Sequence, residues 1–218
     1  MKRKTALTLG ATVALAVCAA FFVLRVAQVN AATPAPEVHR FALGEEATYS
    51  GNDSSGGTVN PGDITVTAEH AALLNREELA KLPGIPAGYV DDLMASTSAN
   101  DMRALVVEVT LRNTTSEPRE AHVQGFKARS GAWSNGLFAE IYFMLNDGLS
   151  TRVPLEPGGT EKATLISLLY DNQSNSTDAW QHVDERTFDL VLTVYPQQYV
   201  INLGQPGLNS APSLGEEA

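Results

Sequence analysis

Ala104–Arg112 reads ALVVEVTLR. Leu105, Val107, Val109 and Leu111 fall at every second position, so in an extended chain all four side chains point to one face. A helix would scatter the same four around its axis, and the valines themselves favour strand. The alternation therefore predicts a β-strand packed on a core. Asn113-Thr-Thr-Ser-Glu-Pro118 then reads as a turn, because Asn, Ser and Pro each supply turn chemistry.

Similar segments lie on both sides. Upstream, Ile64, Val66 and Ala68 alternate with Thr65, Thr67 and Glu69, which predicts a half-buried strand. The cluster GNDSSGGTVNPG over Gly51–Gly62 reads as a loop and separates it from a short apolar/polar segment at Arg40–Ser50. Downstream, Glu120–Ala128, Leu137–Leu145 (LFAEIYFML), Arg152–Leu155, Glu161–Tyr170, Thr187–Tyr195 and Gln198–Leu203 read as strands. Phe188, Leu190, Leu192 and Val194 are the inward set of the Thr187–Tyr195 segment. Between Ala68 and Leu105 comes a helical insertion at about residues 75–97. Asn75 is placed to cap REELAKL, Glu77 and Glu78 favour the first-turn dipole, Pro83-Gly84 stops the run, and Pro86 starts a second short helix. Such an insertion is suited to covering one open end of a sheet.

Roughly seven to nine short strands separated by frequent turns imply an all-β chain, an antiparallel β-sandwich with a short helical insertion. Cys18 is the single cysteine, so no internal disulfide and no Cys-based metal site is possible, and the expectation is immunoglobulin-like in architecture only.

The 218 residues are 44% hydrophobic and 18% charged, enough apolar material for one core. Net charge is −10, but residues 1–32 hold Lys2, Arg3, Lys4 and Arg25 and no acid. Removing those four from the fifteen leaves eleven basic against 25 acidic side chains, a net of −14 for the rest. A body this acidic repels phosphate backbones and argues against nucleic acid as a partner.

MKRK precedes Thr5–Leu24, twenty residues without a charge. A helix of that length spans about 30 Å, the thickness of a bilayer core. The basic flank would keep the N-terminus in the cytoplasm and send the remainder across. Residues 1–32 are therefore expected to be a transmembrane or signal helix, residues 33–39 an Ala/Pro-rich linker, 40–204 the sandwich and 205–218 a disordered tail. Three fates are open: an uncleaved single-pass anchor in the cell membrane, cleavage and secretion using Val29 and Ala31, or lipidation at Cys18. Leu15 and Ala16 fit a lipid-attachment signal. Val17 does not, and the apolar AAFFVL that follows is unlike a polar tether.

The order LGEEATYSG, GDITVTAEHAAL, MRALVVEVTLRNTTSEP, VPLEPGGTEKATLISLLYD and DLVLTVYP resembles bacterial exported domains of unknown function. These are immunoglobulin-like sandwiches behind lipoprotein signals or membrane anchors in Gram-positive bacteria. The resemblance covers about residues 40–204, and the insertion at 75–97 departs from the leaner family pattern. It implies an extracytoplasmic, non-catalytic role and supplies no ligand or catalytic residue.

No catalytic signature stands out. His39, His70, His122 and His182 show no zinc-protease spacing, and Gly131-Ala-Trp-Ser134-Asn-Gly136 has one residue too many for a nucleophile elbow. GNDSSGG and DNQSNSTD are rich in oxygen but lack a calcium-loop rhythm and read as solvated loops. Asp91-Asp92 reads as the wet face of a short helix. Sequons at Asn52, Asn113, Asn172 and Asn175 mark surface loops. No cofactor, metal or enzyme activity is expected. Trp133, in SGAWSNG, and Trp180 are the candidate binding residues, since aromatic side chains on loops anchor partners. The expected partner, beyond the membrane itself, is an envelope protein, a transporter subunit or a glycan. A structural spacer without a ligand, or a secreted or lipidated accessory subunit of a membrane transporter, are the alternatives.

Overall fold

The computed structural model describes residues 15–29, 35–60, 62–174 and 177–208. The chain divides into two compact units, residues 1–36 and 37–218. In the first, residues 15–29 form helix α1, and Cys18 on it is an exposed free thiol. Among the described residues no helix is long and apolar enough to cross a membrane. The first ten residues of the uncharged run, and Ala31, lie outside them.

In the second unit the strands are β1 (Glu37–Ala42), β2 (Glu46–Thr48), β3 (Gly51–Asn52), β4 (Thr58–Val59), β5 (Ile64–Asn75), β6 (Met102–Asn113) and β7 (Arg119–His122). They continue with β8 (Lys127–Ser130), β9 (Trp133–Gly136), β10 (Arg152–Leu155), β11 (Thr160–Tyr170), β12 (Phe188–Val191) and β13 (Gln197–Gly204). Helices α2 (Arg76–Leu79), α3 (Tyr89–Ala95), α4 (Ala139–Leu145) and α5 (Thr177–Gln181) interrupt them. One sheet has the order β1-β13-β12-β8-β9 and the other β11-β6-β5-β2, with two-stranded ribbons β10-β7 and β3-β4. The buried residues of both sheets form one hydrophobic cluster, which gives a β-sandwich.

Strand β6 sits at the centre of its sheet and pairs along its length with β5 and β11. Leu105, Val107, Val109 and Leu111 are all buried as the alternation requires. Met102, Ala104 and Val106 on the opposite face are buried too. Helix α2 packs on β5 and β6, α4 packs on β11, and Leu79, Val90, Met94 and Ile141 join the same core. The insertion starts at a complete capping box: Asn75 Oδ1 accepts from the Glu77 and Glu78 amides, and Glu78 accepts from the Asn75 amide. Asp91 and Asp92 are exposed, the wet face expected of α3, and Arg76 of α2 donates to Asp91.

Strand β5 carries a bulge between Ala68 and His70. The extra residue, Glu69, resets the phase, so Ile64, Val66 and Ala68 are followed inward by Ala71 and Leu73. These five face the same side as the odd-numbered apolar residues of β6.

Several expectations are corrected. Leu137–Leu145 is not a strand: Ala139–Leu145 is helical. Ile141 and Tyr142 are buried and Leu145 packs on the core, a helical rather than alternating set. Asn146 holds the end of α4 to β11, accepting from the Thr164 amide at 2.6 Å and donating to the carbonyls of Tyr142 and Thr164 at 2.7 and 2.9 Å. A helix therefore covers the edge of β11 where another strand was expected. Glu120–Ala128 is split by a 3-10 turn at Val123–Gly125, and strand β12 ends at Val191. The sandwich is not wholly antiparallel, since β1 runs parallel to β13. Those two strands come from opposite ends of the unit, so no short hairpin forces them antiparallel. The linker ends earlier than residue 39, because β1 starts at Glu37, and order continues past 204 into a 3-10 turn at Pro206–Leu208. Residues 209–218 lie outside the described residues.

Candidate functional site

The β8–β9 hairpin turns through Gly131, at φ +57°, and pairs Ser130 with Trp133. The tight turn lifts the indole of Trp133 to the end of the five-stranded sheet. There it meets Phe188 edge-on, with centroids 6.0 Å apart and planes at 78°. Its Nε1 donates to Gln173 Oε1 at 3.4 Å. Gln173 lies in a 3-10 turn, Asp171–Gln173, directly after β11.

Trp180 lies on α5. Its Nε1 donates to Asp101 Oδ2 at 3.0 Å, and the Arg103 guanidinium sits 5.6 Å from its ring centroid. Arg103 donates to Asp184 Oδ1 at 3.0 Å and to Asp101 Oδ2 at 2.9 Å. Burial opposes the Arg103 charge, but the hydrogen bonds and charges of Asp184 and Asp101 outweigh it and raise its pKa. Asp171 is held low in pKa: partial burial opposes this, and hydrogen bonds from the Asn100 side chain and from the backbone of Asn100, Asp101 and Asn172 prevail. The DNQSNSTD segment is thus tied to the start of β6 over its described part.

Both candidate tryptophans line the same cavity, together with Leu169, Tyr170, Gln173 and Arg186. Its volume is about 130 Å³, below the roughly 300–1,000 Å³ of pockets that take drug-sized ligands. It has room for one side-chain-sized group. Burial raises the pKa of the Tyr170 hydroxyl. Arg186 donates from Nε to Ser130 Oγ at 3.0 Å and from Nη2 to the Ser130 carbonyl at 2.5 Å. Sequence reasoning named the two tryptophans and missed Tyr170, Gln173 and Arg186. Proximity to the loops was the available signal, and only the hairpin and α5 reveal that these residues share a wall.

Cys18 lies in the first unit, on α1. A second concavity of about 320 Å³, at Asp63, Arg119, Glu120 and His122, is polar, and Arg119 there is already paired with Asp63 at 3.1 Å. The GNDSSGG segment is exposed or half-buried, as a solvated loop should be, except at Asp53, which is not a surface residue. Asp53 is 3% exposed, and its Oδ1 accepts from the amides of Ser55 and Gly57 and from the Ser55 hydroxyl. A Cβ at Gly57 would stand 2.5 Å from Asp53 Oδ2 and 2.9 Å from His122 Nδ1, so glycine is required by space. Asn113 is likewise no surface sequon. It is fully buried and donates to the carbonyls of Glu117, Leu155 and Glu156. Among the described residues no three His, Cys, Asp or Glu side chains are grouped to hold a metal. His39 stacks on Tyr199 at 4.6 Å, and His182 lies 3.4 Å from Glu185.

Solved structures to which this chain is similar include the yjhA protein from Bacillus subtilis, at 13% identity and TM-score 0.39, covering 75% of this chain and 98% of that one. An uncharacterized beta-sandwich protein from Clostridium difficile 630 is similar at 9% identity and TM-score 0.39, covering 77% and 96%. A functionally unknown protein from Listeria monocytogenes EGD-e is similar at 10% identity and TM-score 0.41, covering 68% and 78%. No curated protein matches the chain. The model of the family described as Domain of unknown function (DUF5028) matches residues 38–199, nearly the whole sandwich, and the chain belongs to that family.

Proposed function

We propose that the chain is a membrane-tethered, extracytoplasmic β-sandwich that acts as a non-catalytic binding module of the cell envelope, with the cavity at Trp133 and Trp180 as its recognition site. The observation that carries this reading is the convergence of the two tryptophans on one cavity. Buried aromatic anchors beside a polar rim are the usual energetic centre of an interface. The ionisable groups of the lining are Tyr170 and Arg186, which supply neither a nucleophile paired with a base nor a carboxylate pair. The tether rests on Lys2, Arg3 and Lys4 ahead of the uncharged run. The immunoglobulin-like character of the sandwich belongs to the same reading and is supported by its packed sheets of five and four strands.

The test is capture from native membranes with the intact chain, run beside Trp133→Ala. A recognition site predicts one or more partners held by the parent chain and lost with the variant. Identical capture by both would move recognition away from this cavity, and capture of nonspecific partners only would leave the chain as a structural spacer.

A further inference from the structure

We propose that Arg186 makes the tryptophan cavity a receptor for a free carboxylate, and that its occupant is the C-terminal residue of a partner polypeptide. The side chain of that residue lies against the indoles and its carboxylate meets the guanidinium. This deepens, and rests on, the reading of the cavity as a recognition site.

Arg186 differs from most arginines of this fold. Arg76, Arg103, Arg112, Arg119 and Arg129 each have a carboxylate within 3.7 Å. Arg186 has none among the described residues, although the chain beyond residue 32 is strongly acidic. The acids beside it in sequence are engaged elsewhere: Asp184 receives Arg103 and Glu185 faces His182. Arg186 does not swing freely, because Ser130, 5% exposed, takes Nε and Nη2. Its Nη1 has no partner among the described residues. A guanidinium of the cavity lining that is fixed by neutral oxygens and keeps one nitrogen unspent is preorganised for an anion.

The remaining lining selects the carrier of that anion. Leu169 and the two indoles offer an apolar seat, and Gln173 offers an amide at the rim. A volume of about 130 Å³ matches one side chain. A cationic occupant would face the charge of Arg186. A chain-terminal residue with an aromatic or aliphatic side chain supplies the apolar body and the carboxylate on adjacent bonds.

The test follows the indole N–H signals of Trp133 and Trp180 by NMR in the full chain, solubilised in detergent. It is titrated with N-acetylphenylalanine, with N-acetylphenylalanine amide and with glucuronate. Both indoles are expected to shift with the acid, and the amide should bind about tenfold more weakly, the worth of one charge-assisted hydrogen bond. Arg186→Gln should bring the acid down to the affinity of the amide, while Arg186→Lys keeps part of the difference. Retained backbone signal dispersion separates loss of charge from loss of fold, and Arg186→Lys carries the comparison if the glutamine variant unfolds. Equal binding of acid and amide, or no loss in the variants, overturns the carboxylate inference and leaves the recognition site standing. If none of the three compounds moves the indoles, both readings fall. A response to glucuronate alone overturns the polypeptide occupant in favour of an acidic sugar.

Discussion

The Arg103 guanidinium lies 5.6 Å from the centroid of the Trp180 ring while its nitrogens reach Asp101 and Asp184. Trp180 in turn donates to Asp101. One carboxylate thus joins the start of β6 to α5, and the arginine closes the ring. Trp180→Phe keeps an aromatic face over Arg103 but removes the donor to Asp101. The expected cost is about 1 kcal/mol, read as a lower urea midpoint with an unchanged slope.

Tyr49 is 1% exposed, and its hydroxyl has no partner among the described residues. Burial first, and the Asp53 charge second, raise its pKa well above the ordinary value. Tyr49→Phe deletes an unsatisfied group and leaves the edge-on contact with Phe126 in place. Stability at neutral pH should rise by about 1 kcal/mol. A fall in the denaturation midpoint would contradict this.

Alkaline pH should weaken the fold. Tyr142 is pushed up to about 12 by burial and by the Glu161 charge, from an ordinary value of 10.0. Its folded pKa is the higher one, so the unfolded chain loses the proton first. The contribution is complete below pH 10 and is lost as pH rises toward about 12. Denaturant titrations across that window should show falling stability, and Tyr142→Phe should flatten part of the slope.

Asn113 joins two separate stretches of backbone, at Glu117 and at Leu155–Glu156, from a position with no exposure. It also accepts from the amide and hydroxyl of Thr115. Asn113→Ala leaves several of these groups buried and unpaired, with an expected loss of about 2–3 kcal/mol. Calorimetry would register it as a lower melting temperature, and a change within error would show that the turn repairs itself.

Deleting Glu69 removes the bulge of β5. Ile64, Val66 and Ala68 would then move to the other face of the sheet while Ala71 and Leu73 stay inward. Loss of the cooperative unfolding transition is the expected result.

If residues 1–32 span a membrane, Cys18 is a small side chain without a chemical role. Cys18→Ser should then leave the chain in the membrane fraction. Release into the soluble fraction would restore lipidation as the mode of attachment.

The long strands were legible because apolar residues recur at every second position along part of each, although both faces of β6 are buried at Ala104–Val107. Leu105, Val107, Val109 and Leu111 could only be buried together on a period of two, and Asn75 with Glu78 encodes a helix start within four residues. LFAEIYFML misled for the opposite reason. Its composition favours strand, and a run with few polar residues carries no clear period. The choice of helix is made by Asn146 and Thr164, which bond α4 to the edge of β11. The site was half legible: Trp133 and Trp180 are visible as loop aromatics, whereas Arg186 is distinguished only by what is missing around it.

By itself, then, the amino-acid order determined the class of the fold, because alternation and turn chemistry are local and repeat along the chain. It also determined the charge contrast between residues 1–32 and the rest, which is a matter of composition. The tertiary structure alone decided that β1 runs parallel to β13, that Glu69 is looped out, and that Trp133, Trp180 and Arg186 share one cavity. Each of these depends on contacts between segments far apart in the chain, where the energy of packing and pairing is set by the partner and not by the segment's own pattern.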